Sequence, residues 1–119
     1  MQVSDDQIVK IAAKVLAYEN TSEDFIGTDV HMNNSVAFDP DNRNNYFSIR
    51  YRKDIHVADV SLFLHTKKVA TFKMKFNLAI IDGFKIPGRL TLTMDNVATT
   101  HVVLPHFVTL NQYSRRKLL

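Results

Sequence analysis

Five histidines are the first residues to test for chemistry: His31, His56, His65, His101 and His106. None forms an i,i+4 pair and none sits in an H-E-x-x-H arrangement, so no two imidazoles are set on one helix face to share a metal. His101 and His106 lie five apart, which is a poor spacing for joint ligation. Asp39, Asp41 and Asn42 faintly echo a calcium loop, but Arg43 stands where another oxygen ligand is needed and no glycine follows, so a turn is the better reading. The glycines Gly27, Gly83 and Gly88 are scattered and build no phosphate-binding loop. There is no G-x-S-x-G elbow, and the acids show no spacing that marks a general acid and its base. These patterns point away from an enzyme and imply no cofactor or metal.

Two further stretches carry side chains of functional interest. In Tyr46-Phe47-Ser48-Ile49-Arg50-Tyr51-Arg52-Lys53, aromatic and basic residues alternate, as they do where a sheet stacks bases on Phe or Tyr and meets phosphate with Arg. The plainer reading is a half-buried strand with Phe47, Ile49 and Tyr51 inward and the arginines in water. The Phe72-Met74-Phe76 stripe invites a ligand pocket, yet the same spacing describes the core face of a strand.

The elements that must position these residues follow from periodicity. Ala58, Val60, Leu62 and Leu64, then Ala70, Phe72, Met74, Phe76, Leu78 and Ile80, alternate with polar residues, and His65-Thr66-Lys67-Lys68 separates the runs. A period of two puts each set on one face, so this is a hairpin with a core side and a wet side. Phe47 to Tyr51 supplies a strand before it. Asn20 to Asn45 is rich in Asn, Asp, Ser and Thr and reads mostly as loop, with a short strand at Asn34 to Phe38 ended by Asp39-Pro40-Asp41-Asn42. After Ile81, Asp82-Gly83 makes a bend; Phe84 and Ile86 resume the pattern until Pro87-Gly88 stops it, and Leu90, Leu92 and Met94 permit another short extended piece.

Two segments have two readings. Ile8, Ile11, Ala12, Val15 and Leu16 fall at helical spacing behind a capping box of Ser4 and Gln7, but Val9, Ile11, Ala13, Val15 and Ala17 also alternate as an edge strand would. Asn96 to Arg116 can be a helix capped by Asp95 or Asn96, with Arg115, Arg116 and Lys117 suiting its C-terminal end. Against it stand the β-branched Val102, Val103, Val108 and Thr109, and Pro105 would kink any helix there.

At 119 residues with 45% hydrophobic and 23% charged residues, residues 1–119 read as one globular domain. No apolar run approaches the roughly 18 residues of a membrane span, and the acidic start Ser4-Asp5-Asp6 is unlike a basic signal-peptide lead, so a cytoplasmic protein is expected. With no cysteine, disulfides and thiolate metal sites are excluded. A net charge of +3 permits an acidic partner, although a solvated basic tail accounts for part of it and nucleic acid is disfavoured as the partner.

The order of segments resembles the SecB-like export chaperones. The resemblance is carried by Val-Lys-Ile-Ala-Ala-Lys-Val-Leu at 9–16, by three meandering strands, by Phe-Asn-Leu-Ala-Ile-Ile-Asp-Gly-Phe-Lys-Ile at 76–86 with its Gly83-Phe84-Lys85-Ile86 step, and by Val-Val-Leu-Pro-His-Phe at 102–107. It implies an α+β fold: a four-stranded antiparallel meander, with 7–18 as a strand and one long C-terminal helix over 96–115 lying on one face. It also implies a non-catalytic chaperone or adaptor that binds unfolded or extended polypeptide and assembles as a homo-oligomer, a dimer or tetramer. The expected site is an apolar groove beside that helix, lined by Phe84, Ile86, Leu104, Phe107 and Leu110. The alternatives are a small β-rich nucleic-acid-binding module using Phe47, Arg50, Tyr51 and Arg52, or a structural protein of a phage or mobile element.

Overall fold

The computed structural model describes residues 3–20, 29–81 and 83–102, without the side chains of 33–35, 81, 84, 86, 87 and 102. Its first element is a helix, α1 (Asp5–Glu19). Ser4 is an extended N-cap whose hydroxyl accepts the Gln7 amide, while the Gln7 side chain accepts the Ser4 amide, and Asp5 and Asp6 place negative charge at the positive end of the helix dipole. Ile8, Ile11, Ala12, Val15, Leu16 and Glu19 form the buried stripe. Asn20 ends the helix: its amide and side-chain Nδ2 both donate to the Leu16 carbonyl. The expected strand at 7–18 is therefore corrected to a helix, because the capping box and the 3.6-residue stripe act together where the alternation has no neighbouring strand to pair with.

Among the described residues six strands follow: β1 (Asp29–Asp39), β2 (Asn42–Arg52), β3 (Val57–Leu64), β4 (Lys67–Ile81), β5 (Phe84–Met94) and β6 (Val97–Val102). They pair in sequence order in one antiparallel meander. The expected α+β fold of four strands and a long C-terminal helix is thus overturned: the described chain is mostly β, and its helix is N-terminal and short. At the other end, 97–102 pairs with β5, Val97 opposite Met94 and Val102 opposite Arg89. Asp95 and Asn96 have φ of 51° and 64°, so they form the left-handed pair of a two-residue hairpin instead of capping a helix. The β-branched Val97, Thr99, Thr100 and Val102 then suit a strand. The remainder of the expected helix, including its Pro105 kink, lies outside the described residues.

The β3–β4 hairpin is the one the alternation predicts, with a tighter turn. His65 and Thr66 alone connect the strands, with φ of 53° and 64°. This turn is tied to β2, since the His65 amide donates to Asn45 Oδ1 at 2.9 Å and the Thr66 amide to the Asn44 carbonyl at 3.1 Å. A β-branched residue is strained in the left-handed region, so Thr66→Gly is expected to stabilise the fold by about 0.5–1 kcal/mol, read as a rise in the urea midpoint. An unchanged midpoint would show that the Thr66 hydroxyl, which donates to the His65 carbonyl, offsets the strain.

β1 is longer than the short strand expected at 34–38. Asn and Asp are tolerated there because β1 is an edge strand of the described sheet, and its register shifts between Met32 and Val36. Pro87-Gly88 also does not stop β5. Asn77 pairs with Arg89 and Leu78 with Pro87, leaving Gly88 as the extra residue of a bulge, where the missing proline N–H breaks no regular ladder.

One sheet face carries the core. Phe47, Ile49, Tyr51, Ala58, Val60, Leu62, Phe72, Met74, Phe76, Leu90 and Leu92 are buried against the α1 stripe. Aromatic rings meet edge to face along it, Phe38 with Phe47, Phe47 with Phe72, and Tyr51 with Phe76, at centroid separations of 5.8, 6.1 and 6.0 Å. The first helical turn touches both ends of the meander. Gln7 Nε2 donates to the Phe38 carbonyl of β1 at 3.2 Å, and Asp5 lies 3.8 Å from His101 of β6. The sheet is therefore curled around α1. Ile80, expected inward, is 75% exposed because β4 runs past the end of β3, whose first residue Val57 pairs with Lys75.

Candidate functional site

The five residues expected to line a groove are not brought together within the described part of the chain. Phe84 and Ile86 are placed in β5, their backbones opposite Ile81 and Ala79, while Leu104, Phe107 and Leu110 lie outside the described residues. The helix that flanks the sheet is α1, and the groove beside it is built from other residues. Lys10, Ala13 and Lys14, at i, i+3 and i+4, share one face of α1 next to its buried stripe. Opposite them stand Val36 and Ala37 of β1, which is at the edge of the described sheet, and the space between measures about 450 Å³.

The groove exists because its walls are small. Ala13 is a methyl group where a larger side chain would close the gap, Val36, 6% exposed, forms part of the floor as a residue of the core, and Ala37, whose methyl alternates to the other sheet face, borders the groove beside it. Lys10 and Lys14 are exposed at the rim, and neither has an ion-pair partner among the described residues. The strand beside the groove offers backbone as well. Alternation of the ladders, counted from the Phe76 amide that donates to the His56 carbonyl, turns the Val36 amide and carbonyl toward Phe47 of β2 and leaves those of Ala37 facing away from β2. A groove with an apolar floor, a cationic rim and outward backbone groups can hold an extended chain without any reacting atom.

A second cluster, buried at the other end of α1, carries more conventional chemistry. Glu19 is the last residue of the apolar stripe and its side chain is fully buried. Its Oε2 accepts a short hydrogen bond from the Tyr51 hydroxyl and another from His56 Nδ1 at 2.9 Å, and its Oε1 faces Lys85 Nζ at 3.4 Å. Burial alone would push the carboxyl up, but the hydrogen bonds from Tyr51 and His56, with the charges of His56 and Lys85, outweigh it and hold Glu19 below its ordinary 4.5. The Tyr51 phenol is pushed far above its ordinary 10, first by burial, then by its bond to the Glu19 carboxylate and by that charge. Both oxygens of Glu19 are thus committed to donors and shielded from solvent, which makes it an anchor and a poor general base near neutral pH. Asn20 reinforces the anchor by exchanging two hydrogen bonds with the backbone of Lys85, at 2.7 and 2.9 Å.

Sequence reasoning missed this cluster because its members come from the end of α1, the end of β2, the β2–β3 turn and the start of β5. The readable signal was a glutamate at the helical position that continues Ile8, Ile11, Val15 and Leu16. The basic and aromatic residues of β2 take the plainer of their two readings. Phe47 and Tyr51 are fully buried and present no ring for stacking, Arg50 is paired with Asp29 at 2.7 Å, and Arg52 with Asp59 at 3.4 Å. Among the described residues, no group of three or more His, Asp or Glu converges on a metal position, and no helix is long and apolar enough to cross a membrane. The chain matches no protein-family model, no curated protein and no solved structure.

Proposed function

We propose that this protein is a non-catalytic chaperone or adaptor that binds unfolded or extended polypeptide along the groove between α1 and β1. The observation that carries the reading is the juxtaposition of an apolar floor, Ala13 and Val36, with the outward backbone of Ala37 on a strand at the edge of the described sheet. An extended client gains main-chain hydrogen bonds from the strand and apolar burial from the floor, whatever its sequence, which is what a holding function requires. The resemblance to SecB-like export chaperones implies the same activity, and assembly as a homo-oligomer belongs to the same proposal. The exposed Ile80 and Val97, on β4 and β6, are surface available to such an assembly.

The test is suppression of aggregation of a denatured client, together with anisotropy of a labelled extended peptide. Ala13→Trp fills the groove from the helix side and is expected to weaken peptide binding about tenfold while the cooperative unfolding transition persists. Charge reversal at Arg50 and Arg52, which lie away from the groove, is expected to leave holding nearly intact. Unchanged binding by Ala13→Trp would remove the groove from the function. Loss of binding in Phe84→Ser instead would move the site to the residues of β5.

A further inference from the structure

We infer that the segment held by this groove is acidic: an extended strand bearing carboxylates among small aliphatic residues. The inference rests on the polypeptide-binding reading and adds the chemical class of the client. Lys10 and Lys14 are one helical turn apart, so both ammonium groups stand over the same side of the groove. The ion pairs seen elsewhere, Arg50 with Asp29, Arg52 with Asp59 and Lys85 with Glu19, show cations of this fold that already have carboxylates. The two at the rim have none among the described residues, as Lys73 and Lys75 of β4 have none; what sets Lys10 and Lys14 apart is that both line a groove, and Asp6, a turn before Lys10, is not paired with it.

The geometry of a strand adds a requirement on sequence. Side chains of an added strand alternate, so residues facing the sheet's core side meet Ala13 and Val36 and must be small or aliphatic to fit there. Side chains two residues apart share that face, so carboxylates set among the aliphatic residues of the α1 side reach the rim, where two cations attract an acid and repel a lysine or arginine at the same place. The net charge of +3 adds a long-range field of the same sign. A basic client, which a holdase with a neutral groove would accept equally, is selected against.

The test uses the full-length chain and three labelled peptides of one alternating valine and alanine framework, carrying Glu, Gln or Lys at the same positions. The Glu peptide is expected to bind about tenfold more tightly than the Gln peptide, and the advantage to vanish in about 1 M salt, where the screening length falls to a few ångströms. The double variant Lys10→Glu and Lys14→Glu is expected to reverse the order, favouring the Lys peptide. Both changes are at exposed helical positions, and Lys10→Gln with Lys14→Gln serves as a second variant that abolishes the preference without adding charge. Equal binding of the three peptides would overturn the acidic preference and leave the groove reading standing. Failure of every peptide to bind would overturn both. If instead peptide binding falls as the protein self-associates, the groove receives a second copy of the chain and the inference fails.

Discussion

Phe76→Ala is expected to lower the unfolding free energy by roughly 3–5 kcal/mol, the range for removing a fully buried aromatic ring. Phe76 is 2% exposed, lies opposite Leu90 in the β4–β5 ladder, and meets the Tyr51 ring edge to face at 6.0 Å. Truncation leaves a cavity under α1 and takes away one wall of the pocket that orients Tyr51 toward Glu19. Since a domain of this size is stable by only about 5–15 kcal/mol, the loss is a large share of the total and shows as a large shift of the urea midpoint. The same substitution class at Ile80, four residues along the same strand but 75% exposed, is expected to change stability by less than about 0.5 kcal/mol. Equal effects at the two positions would mean that β4 is covered differently from the arrangement described.

That contrast also marks how far periodicity can be read. From Ala58 to Phe76 the alternation names the buried face residue by residue, because β2, β3, β4 and α1 cover it without interruption. Beyond Phe76 the same alternation continues to Ile80, but the covering elements do not, and a pattern of side chains holds no record of where its neighbours end. The helix shows the converse. The Ser4–Gln7 capping box and the stripe from Ile8 to Leu16 were sufficient locally, and the strand assignment followed only from a resemblance in the order of segments. At 97–102 the β-branched residues already argued for a strand. The missing piece was that Asp95-Asn96, readable as a helix cap, also tolerates two successive left-handed residues.

The candidate groove beside α1 was not legible in the sequence. The expected groove of Phe84, Ile86, Leu104, Phe107 and Leu110 falls largely on residues outside those described, and a wall made of Ala13 from one segment and Val36 and Ala37 from another requires the curl of the sheet around α1 to bring them together. Small residues give no periodic signal of their own, so Ala13 and Ala37 are silent until the neighbouring elements are in place. Lys10 and Lys14 stand at i and i+4 in the sequence, yet whether they border solvent or a groove depends on which strand passes beside them.

The Glu19 anchor gives a second large effect, and one that pH resolves. Tyr51→Phe removes the hydroxyl that donates to a buried carboxylate while keeping the ring and its contact with Phe76. The expected cost at about pH 7 is roughly 1.5–3 kcal/mol, the range for a hydrogen bond to a charged group. His56 and Lys85 remain as partners, which keeps the loss below that of a fully unpaired buried charge. Because the folded state holds Glu19 below its ordinary 4.5, the cluster's contribution is complete above that value and is lost as pH falls through the lowered folded value. The Tyr51 phenol is raised above 10, so its contribution is complete below 10 and is lost as pH rises toward the folded value. The difference between the parent chain and Tyr51→Phe should therefore be widest at neutral pH and narrow toward both acid and alkali, measured as urea midpoints across the range. A difference that stayed constant with pH would show that the hydroxyl acts by packing alone. A stabilised variant would show that burying the Tyr51 hydroxyl costs more than its hydrogen bond to Glu19 returns.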